Sequence, residues 1–216
     1  MLSIAIALIV VFGLLILAEY LRRKRRIQGE LARKFVHMSV GSFVAFWPFF
    51  MTWNEIRLMC LAFIIVVLLD RHFRIFKSVH SVKRQTVGDI LFPVGIAIAT
   101  YVSSSPWIFT VAVLHLSLGD GMAAVVGNKY GKQYAYSILR QKKSFAGSVA
   151  FWGTSLIITG VMLAFMPINL QYASLAILLL LPLSSTLLES ISIFGIDNVT
   201  IPVFVALILS SLQSIG

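Results

Sequence analysis

Residues 107–127 read WIFTVAVLHLSLGDGMAAVVG, twenty-one positions that hold a single carboxylate, Asp120, between Gly119 and Gly121. At 1.5 Å per residue a helix over this run is about 30 Å long, the thickness of a bilayer's hydrocarbon layer. A carboxylate set that deep costs several kcal/mol unless it meets a cation, a metal or water. The run therefore predicts a membrane helix with chemistry inside it.

The rest of the chain repeats the pattern. Of 216 residues 59% are hydrophobic and 12% charged, more apolar surface than a water-soluble core of this size absorbs. Eight apolar runs are expected to form membrane helices: 3–21, 35–50, 56–69, 89–102, 107–127, 147–166, 172–188 and 199–212. The fold class is thus an all-α polytopic membrane bundle, with one integral membrane domain over 1–216. The first run precedes a basic cluster, Arg22 to Arg26, the reverse polarity of a cleaved signal peptide, and is expected to stay as the first helix.

The net charge of +10 would suggest nucleic acid in a soluble protein, but its distribution here is topological. The first, third and fifth connections hold seven, five and five Lys/Arg; the second, fourth and sixth are short and nearly uncharged. Arg57 alone breaks the pattern. The positive-inside rule then puts the basic loops in the cytoplasm and both termini on the other side. No nucleic-acid partner is expected, and the single cysteine, Cys60, excludes an intramolecular disulfide.

Eight acidic residues are few enough to weigh one by one. Glu19, Glu30 and Asp70 lie beside Arg/Lys clusters and read as ordinary pairs, and Glu55 lies in an outer connection. Asp89, Asp120, Glu189 and Asp197 fall near cytoplasmic helix ends, opposite the basic loops, where carboxylates and cations suit a polyanion and a metal. Asp120 either grips a metal or pairs with a lysine of another helix, Lys143 being the candidate. Its flanking glycines allow the backbone to leave helical geometry and a ligand to approach closely, and free N–H groups there suit phosphate oxygens. Gly127-Asn128-Lys129-Tyr130-Gly131-Lys132 is either a helix C-cap with a basic loop or a phosphate loop. Lys142-Lys143-Ser144-Phe145-Ala146-Gly147-Ser148 opens the sixth helix with lysines, hydroxyls and a glycine, an anion-binding or a capping arrangement, but not a Walker A loop. Lys34 and His37 share a helix face at the membrane surface. His72, His80 and His115 lack metal-ligand spacing, which argues against zinc and a histidine-centred triad.

At these residues the sequence resembles the polyprenol-type kinases, the family that includes dolichol, phytol and farnesol kinases. The likeness runs through Arg33-Lys34 with His37, Gly119-Asp120-Gly121 to Tyr130-Gly131, Lys143 to Ser148, and Glu189 with Asp197-Asn198 and Pro202. Lys-Ser-x-Ala-Gly-Ser is similar to the phytol and farnesol kinases, because dolichol kinases more often place Glu where Ala146 stands. The resemblance implies CTP as phosphoryl donor, magnesium, and an isoprenoid alcohol held in the membrane. It implies a nucleotide region of Gly119, Gly121, Gly127, Lys129, Gly131, Lys132, Lys143, Ser144 and Gly147. Asp120 and Asp197 are the expected metal ligands, and Asp120, Lys143, Glu189 and Asp197 the expected catalytic groups, with Lys34, His37, Asp89 and Asn198 completing the polar site. Asp89 departs from the family pattern, since Val87-Gly88-Asp89 stands where similar proteins have Arg-Gly-Pro. Rival readings are a CTP-dependent phosphatidate cytidylyltransferase, a diacylglycerol kinase, or a small transporter. The uncharged outer halves of nearly all the helices argue against the last.

The orientation has a direct test. In a Cys60→Ser background, a cysteine placed at Lys132 is expected to react with an impermeant maleimide only from the cytoplasmic side. Labelling from the outer face reverses the assignment.

Overall fold

The computed structural model describes residues 2–73, 87–131, 133–138, 141–165 and 174–214. Lys132, His80, most of the third connection and the whole sixth connection lie outside this set. Within it the chain is a helical bundle. Helix α1 spans Leu2–Arg23, α2 Glu30–Ala45, α3 Trp53–Phe73, α4 Gly88–Val102, α5 Pro106–Leu114, α6 Gly121–Tyr130, α7 Phe145–Phe165, α8 Ser174–Ile191 and α9 Asp197–Gln213. Helices α5 and α6 are one rod, Pro106–Tyr130, joined through a π-helical turn at His115–Asp120. Four rods are long and apolar enough to cross a membrane, namely α1, α5 with α6, α7 and α8, while α4 and α9 are shorter apolar helices.

Local chemistry explains the boundaries. Arg22 and Arg23 close α1, where cations suit the negative end of the helix dipole, and both reach back to Glu19. Pro106 opens α5, and the Ser105 hydroxyl caps it by accepting from Ile108 N–H at 3.3 Å. Pro48 converts the expected tail of the second helix into a short 3-10 turn, Trp47–Phe49. Between α8 and α9 the chain reverses through Phe194 and Gly195, both at positive φ.

The rod of α5 and α6 is the most enclosed of the candidate spans, whereas α1, α7 and α8 expose most of their length. Ile108, Val111, Ala112 and Leu116 pack with Phe151, Ile158, Leu181, Ile201 and Val205 from α7, α8 and α9. Phe109 and Val113, on its other side, pack with Val11, Val44, Trp47, Ile56 and Ile96 from the first four helices and the 3-10 turn. Apolar side chains such as Ile9, Ile16, Leu61, Ile157 and Leu180 point outward, as lipid-facing positions do.

Two features of the fold depart from the expected pattern of helices and loops. The fifth connection is not all loop: β1, Ala135–Ile138, and β2, Gln141–Ser144, form an antiparallel hairpin in which Tyr136 faces Lys143. Alternation over only four residues per strand is too short to stand out beside apolar runs of twenty. The π turn is the second, and it falls on the polar stretch of the central rod. Because α6 runs on to Tyr130, Asp120 stands ten residues before its end, or about 15 Å from it, rather than the seven residues counted from the apolar run.

Helix α9 is positioned by α4. A methyl group on Gly95 would collide with the carbonyl oxygen of Asn198 and approach the Val199 Cα, both backbone atoms that cannot swing aside. Gly95→Ala is therefore expected to destabilise the protein by about 1–3 kcal/mol. Gly153→Ala, in open space on α7, should be neutral or gain up to about 1 kcal/mol from helix propensity. Thermal unfolding in detergent separates the two.

Candidate active site

One end of the bundle collects the ends of α8 and α9, the early turns of α2, the π turn and the hairpin. There Asp120, Glu189 and Asp197 each offer a carboxylate oxygen within 4.8 Å of the others, and all three residues are buried. They come from three separate elements, so the grouping is a product of the fold.

Each carboxylate is held differently. Asp120 forms an ion pair with Lys34 of α2, and His37, one turn further along α2, brings its Nε2 to 3.4 Å from the same oxygen. The His37 ring nitrogen also lies 3.4 Å from the Leu116 carbonyl. Glu189 pairs with Lys143, whose ammonium donates in addition to the Glu189 backbone carbonyl at 2.7 Å. Burial opposes the charge on Lys143, but the adjoining Glu189 carboxylate more than offsets it and raises the lysine above its ordinary pKa. Asp197 has no ion pair among the described residues. Its Oδ1 accepts from the N–H and side-chain amide of Asn198, at 3.0 and 3.1 Å, and that amide also donates to Gly195 O at 3.0 Å. Asn198 thereby ties the reverse turn to the carboxylate.

Ser144 organises the hairpin side. Its hydroxyl accepts from Gly147 N–H at 3.1 Å and caps α7. Cβ atoms on Gly127, Gly131 or Gly147 would each crowd that hydroxyl, so these glycines let α6 and α7 close around it. Gly119 and Gly121 likewise admit the side chains of Phe151 and Met38. The Gly121 N–H bonds within the rod, to Ser117 and Leu118 carbonyls. In this arrangement the site glycines serve close approach of protein to protein.

Three of the four carboxylates singled out in the sequence thus converge. Asp89 is not one of the trio; its carboxylate is engaged by Arg71, with the guanidinium Nε donating at 2.9 Å. Lys129 stands in the exposed last turn of α6, its ammonium 4.9 Å from the Tyr130 ring centre. Of the two readings of Asp120, the structure shows a lysine beside it, and that lysine is Lys34 rather than Lys143, because α2 packs directly on the π turn while Lys143 is drawn to α8. Sequence reasoning missed the hydroxyl chain from Tyr136 through Ser148 to Ser190, with links of 2.9 and 3.0 Å, that ties the hairpin to α7 and α8. Isolated serines give no signal for such a chain. His115 is buried in the rod, with Nδ1 2.9 Å from Val111 O and Nε2 3.3 Å from the Thr159 hydroxyl, a packing role consistent with its lack of ligand spacing.

A membrane helical bundle with three buried carboxylates, one buried lysine and one partly buried lysine at one end is built for polar chemistry beside a lipid phase. The chain is 31% identical over 196 residues to phytol kinase of Synechocystis sp., covering 88% of this chain and 83% of that one. Probable chloroplastic phytol kinases of Zea mays and Triticum aestivum are 26% and 28% identical, over 91% and 88% of this chain and 71% and 70% of theirs. The chain belongs to the family of polyprenol-type lipid kinases that contains the phytol kinases. No family model matches the sequence, and no solved structure matches it.

The ion-pair assignment can be checked by double substitution. Asp120→Asn and Lys34→Met are each expected to cost about 3–5 kcal/mol, because each strands a buried charge. Combining them should restore part of the loss, whereas Asp120→Asn with Lys143→Met should not. Rescue by Lys143→Met instead would overturn the pairing.

Proposed function

We propose that the protein is a CTP-dependent kinase that transfers the γ-phosphate to the hydroxyl of a membrane-embedded isoprenoid alcohol, phytol or a related prenyl alcohol. The reading is carried by the buried trio Asp120, Glu189 and Asp197 with lysines seated on two of its members. Membership of the kinase family supports the reaction class.

Phosphoryl transfer passes through a loose transition state, so catalysis is chiefly positioning and neutralisation of charge. Three carboxylate oxygens within 4.8 Å of one another are the hard donor set that a magnesium ion prefers, and Asp120 and Asp197 would hold it. When bound, the ion would neutralise phosphate charge. Lys143 would face the remaining phosphate oxygens from the hairpin. Lys129, Lys132, Ser144 and the segments around Gly119, Gly121, Gly127, Gly131 and Gly147 would form the nucleotide side. Glu189 or Asp197 would accept the alcohol proton as the new P–O bond forms, the bond to the β-phosphate breaks and CDP leaves. His37 and Asn198 would keep Asp120 and Asp197 in place, and Asp89 would act through Arg71. The prenyl tail would remain in the bilayer.

We assign membrane crossing to all eight rods, with the site on the cytoplasmic face and both termini opposite. Support comes from the alternation of basic and uncharged connections.

Purified protein should be offered CTP, ATP, UTP and GTP against phytol, farnesol, geranylgeraniol, long polyprenols and diacylglycerol. The expected products are CDP and a prenyl monophosphate, dependent on magnesium. Equal or better activity with ATP would reject the donor assignment, and pyrophosphate with a CDP-lipid would reject the kinase reaction in favour of cytidylyl transfer.

A further inference from the structure

The buried cluster is not electrically balanced. Asp120, Glu189 and Asp197 bring three negative charges and Lys34 and Lys143 two positive ones, while Arg33 is matched by Glu30 on the same helix. Counted formally, with each carboxylate ionised and His37 uncharged, the sum is one negative charge. Asp197 is the carboxylate without an ion pair among the described residues.

The two lysines are also held unequally. Lys143 is fixed by a carboxylate and by a backbone carbonyl at 2.7 Å, and it sits in a strand. Lys34 is buried and has a single hydrogen-bond partner among the described residues, Asp120. Its ammonium ends a flexible four-carbon stem, so it can swing away without breaking any other bond.

We propose that Lys34 is a place-holding counter-ion. It neutralises Asp120 until a metal-nucleotide complex arrives, then yields the carboxylate to the divalent cation and passes its ammonium to a phosphate oxygen. This rests on the kinase reading of the site. A divalent cation added alone would turn a buried charge of −1 into +1 and would have to displace Lys34 with no new partner for it. A nucleotide added alone would pile phosphate charge onto an already negative cluster. Together they bring charge of both signs, and the displaced ammonium has somewhere to go. Metal and nucleotide must then bind cooperatively, each raising the other's affinity by the same factor.

Removing Lys34 should uncouple them. Without its ammonium the cluster sums to two negative charges, which one divalent cation balances. The experiment is thermal unfolding of the detergent-purified full chain with MnCl2 alone, CTP alone, and both, for wild type, Lys34→Met, Lys34→Gln and Lys34→Met with Asp120→Asn. Lys34→Gln keeps an N–H for Asp120 and serves if the Met variant fails to fold. Wild type is expected to respond weakly to either ligand and strongly to the pair. The single Lys34 variants are expected to gain roughly 5–10 °C from manganese alone at about a hundred-fold excess over its Kd, and the double variant to lose that gain. Two results overturn the proposal: wild type gaining as much from manganese alone as the Lys34 variants do, or folded Lys34 variants gaining nothing from it. If no nucleotide stabilises wild type with metal while manganese still stabilises Lys34→Gln, the kinase reading falls along with the phosphate half of the proposal. The counter-ion half then stands on its own.

Discussion

A carboxylate buried inside a membrane bundle must be neutralised by something that the fold itself delivers, and the placement of Asp120 imposes that condition on the surrounding helices. Water is scarce there, and an uncompensated charge costs several kcal/mol. Helix α2 answers by presenting Lys34 and His37 on one face, three residues apart. Gly121 and Gly41 let α2 lie close to the rod, against Met38 and Ser117 respectively, so that the ammonium reaches its partner. The same demand recurs at Glu189, where the hairpin bends back over the bundle end to seat Lys143. Packing and electrostatics are thus one problem in this protein, since the glycines that permit close contact are the ones that bring opposite charges together.

The π turn belongs to this solution. An α-helix that continued unbroken would rotate the residues beyond Leu114 by the ordinary 100° per step, whereas a π turn inserts an extra residue and re-aims the side chains beyond it. Here His115 is directed toward Thr159 on α7, Ser117 toward α2, and Asp120 toward the two lysine-bearing elements' common end. Such turns are frequent at functional positions, and this one coincides with the only carboxylate of the rod.

Much of this is legible in the sequence, for physical reasons. Apolar runs of membrane length and a one-sided distribution of Lys and Arg are strong signals, and with eight acidic residues in the chain each can be weighed singly. Asp120, Glu189 and Asp197 therefore stand out as a set without any geometry. Their partners do not. Lys34 and Asp120 are 86 residues apart and Lys143 and Glu189 are 46 apart, and no local periodicity reports which helices touch. Asp89 looks like a fourth member because its helix end lies on the same side, but nearness to a face is weaker than contact, and Arg71 claims it. In the sequence the glycines suggest openings toward a ligand; the fold uses their missing side chains to admit Ser144, Phe151 and Met38.

The outward-facing apolar surface has a consequence for how such a chain can change over time. Positions such as Ile9, Ile157 and Leu180, exposed on helices long and apolar enough to cross a membrane, suit hydrocarbon, where any of several aliphatic residues serves equally well, so substitutions there are nearly without penalty. The enclosed rod and the charge partners have no such latitude, because each of their atoms is specified by a neighbour. A lineage built on this plan can lose overall identity at its lipid-facing positions while the enclosed rod and the charge partners are held.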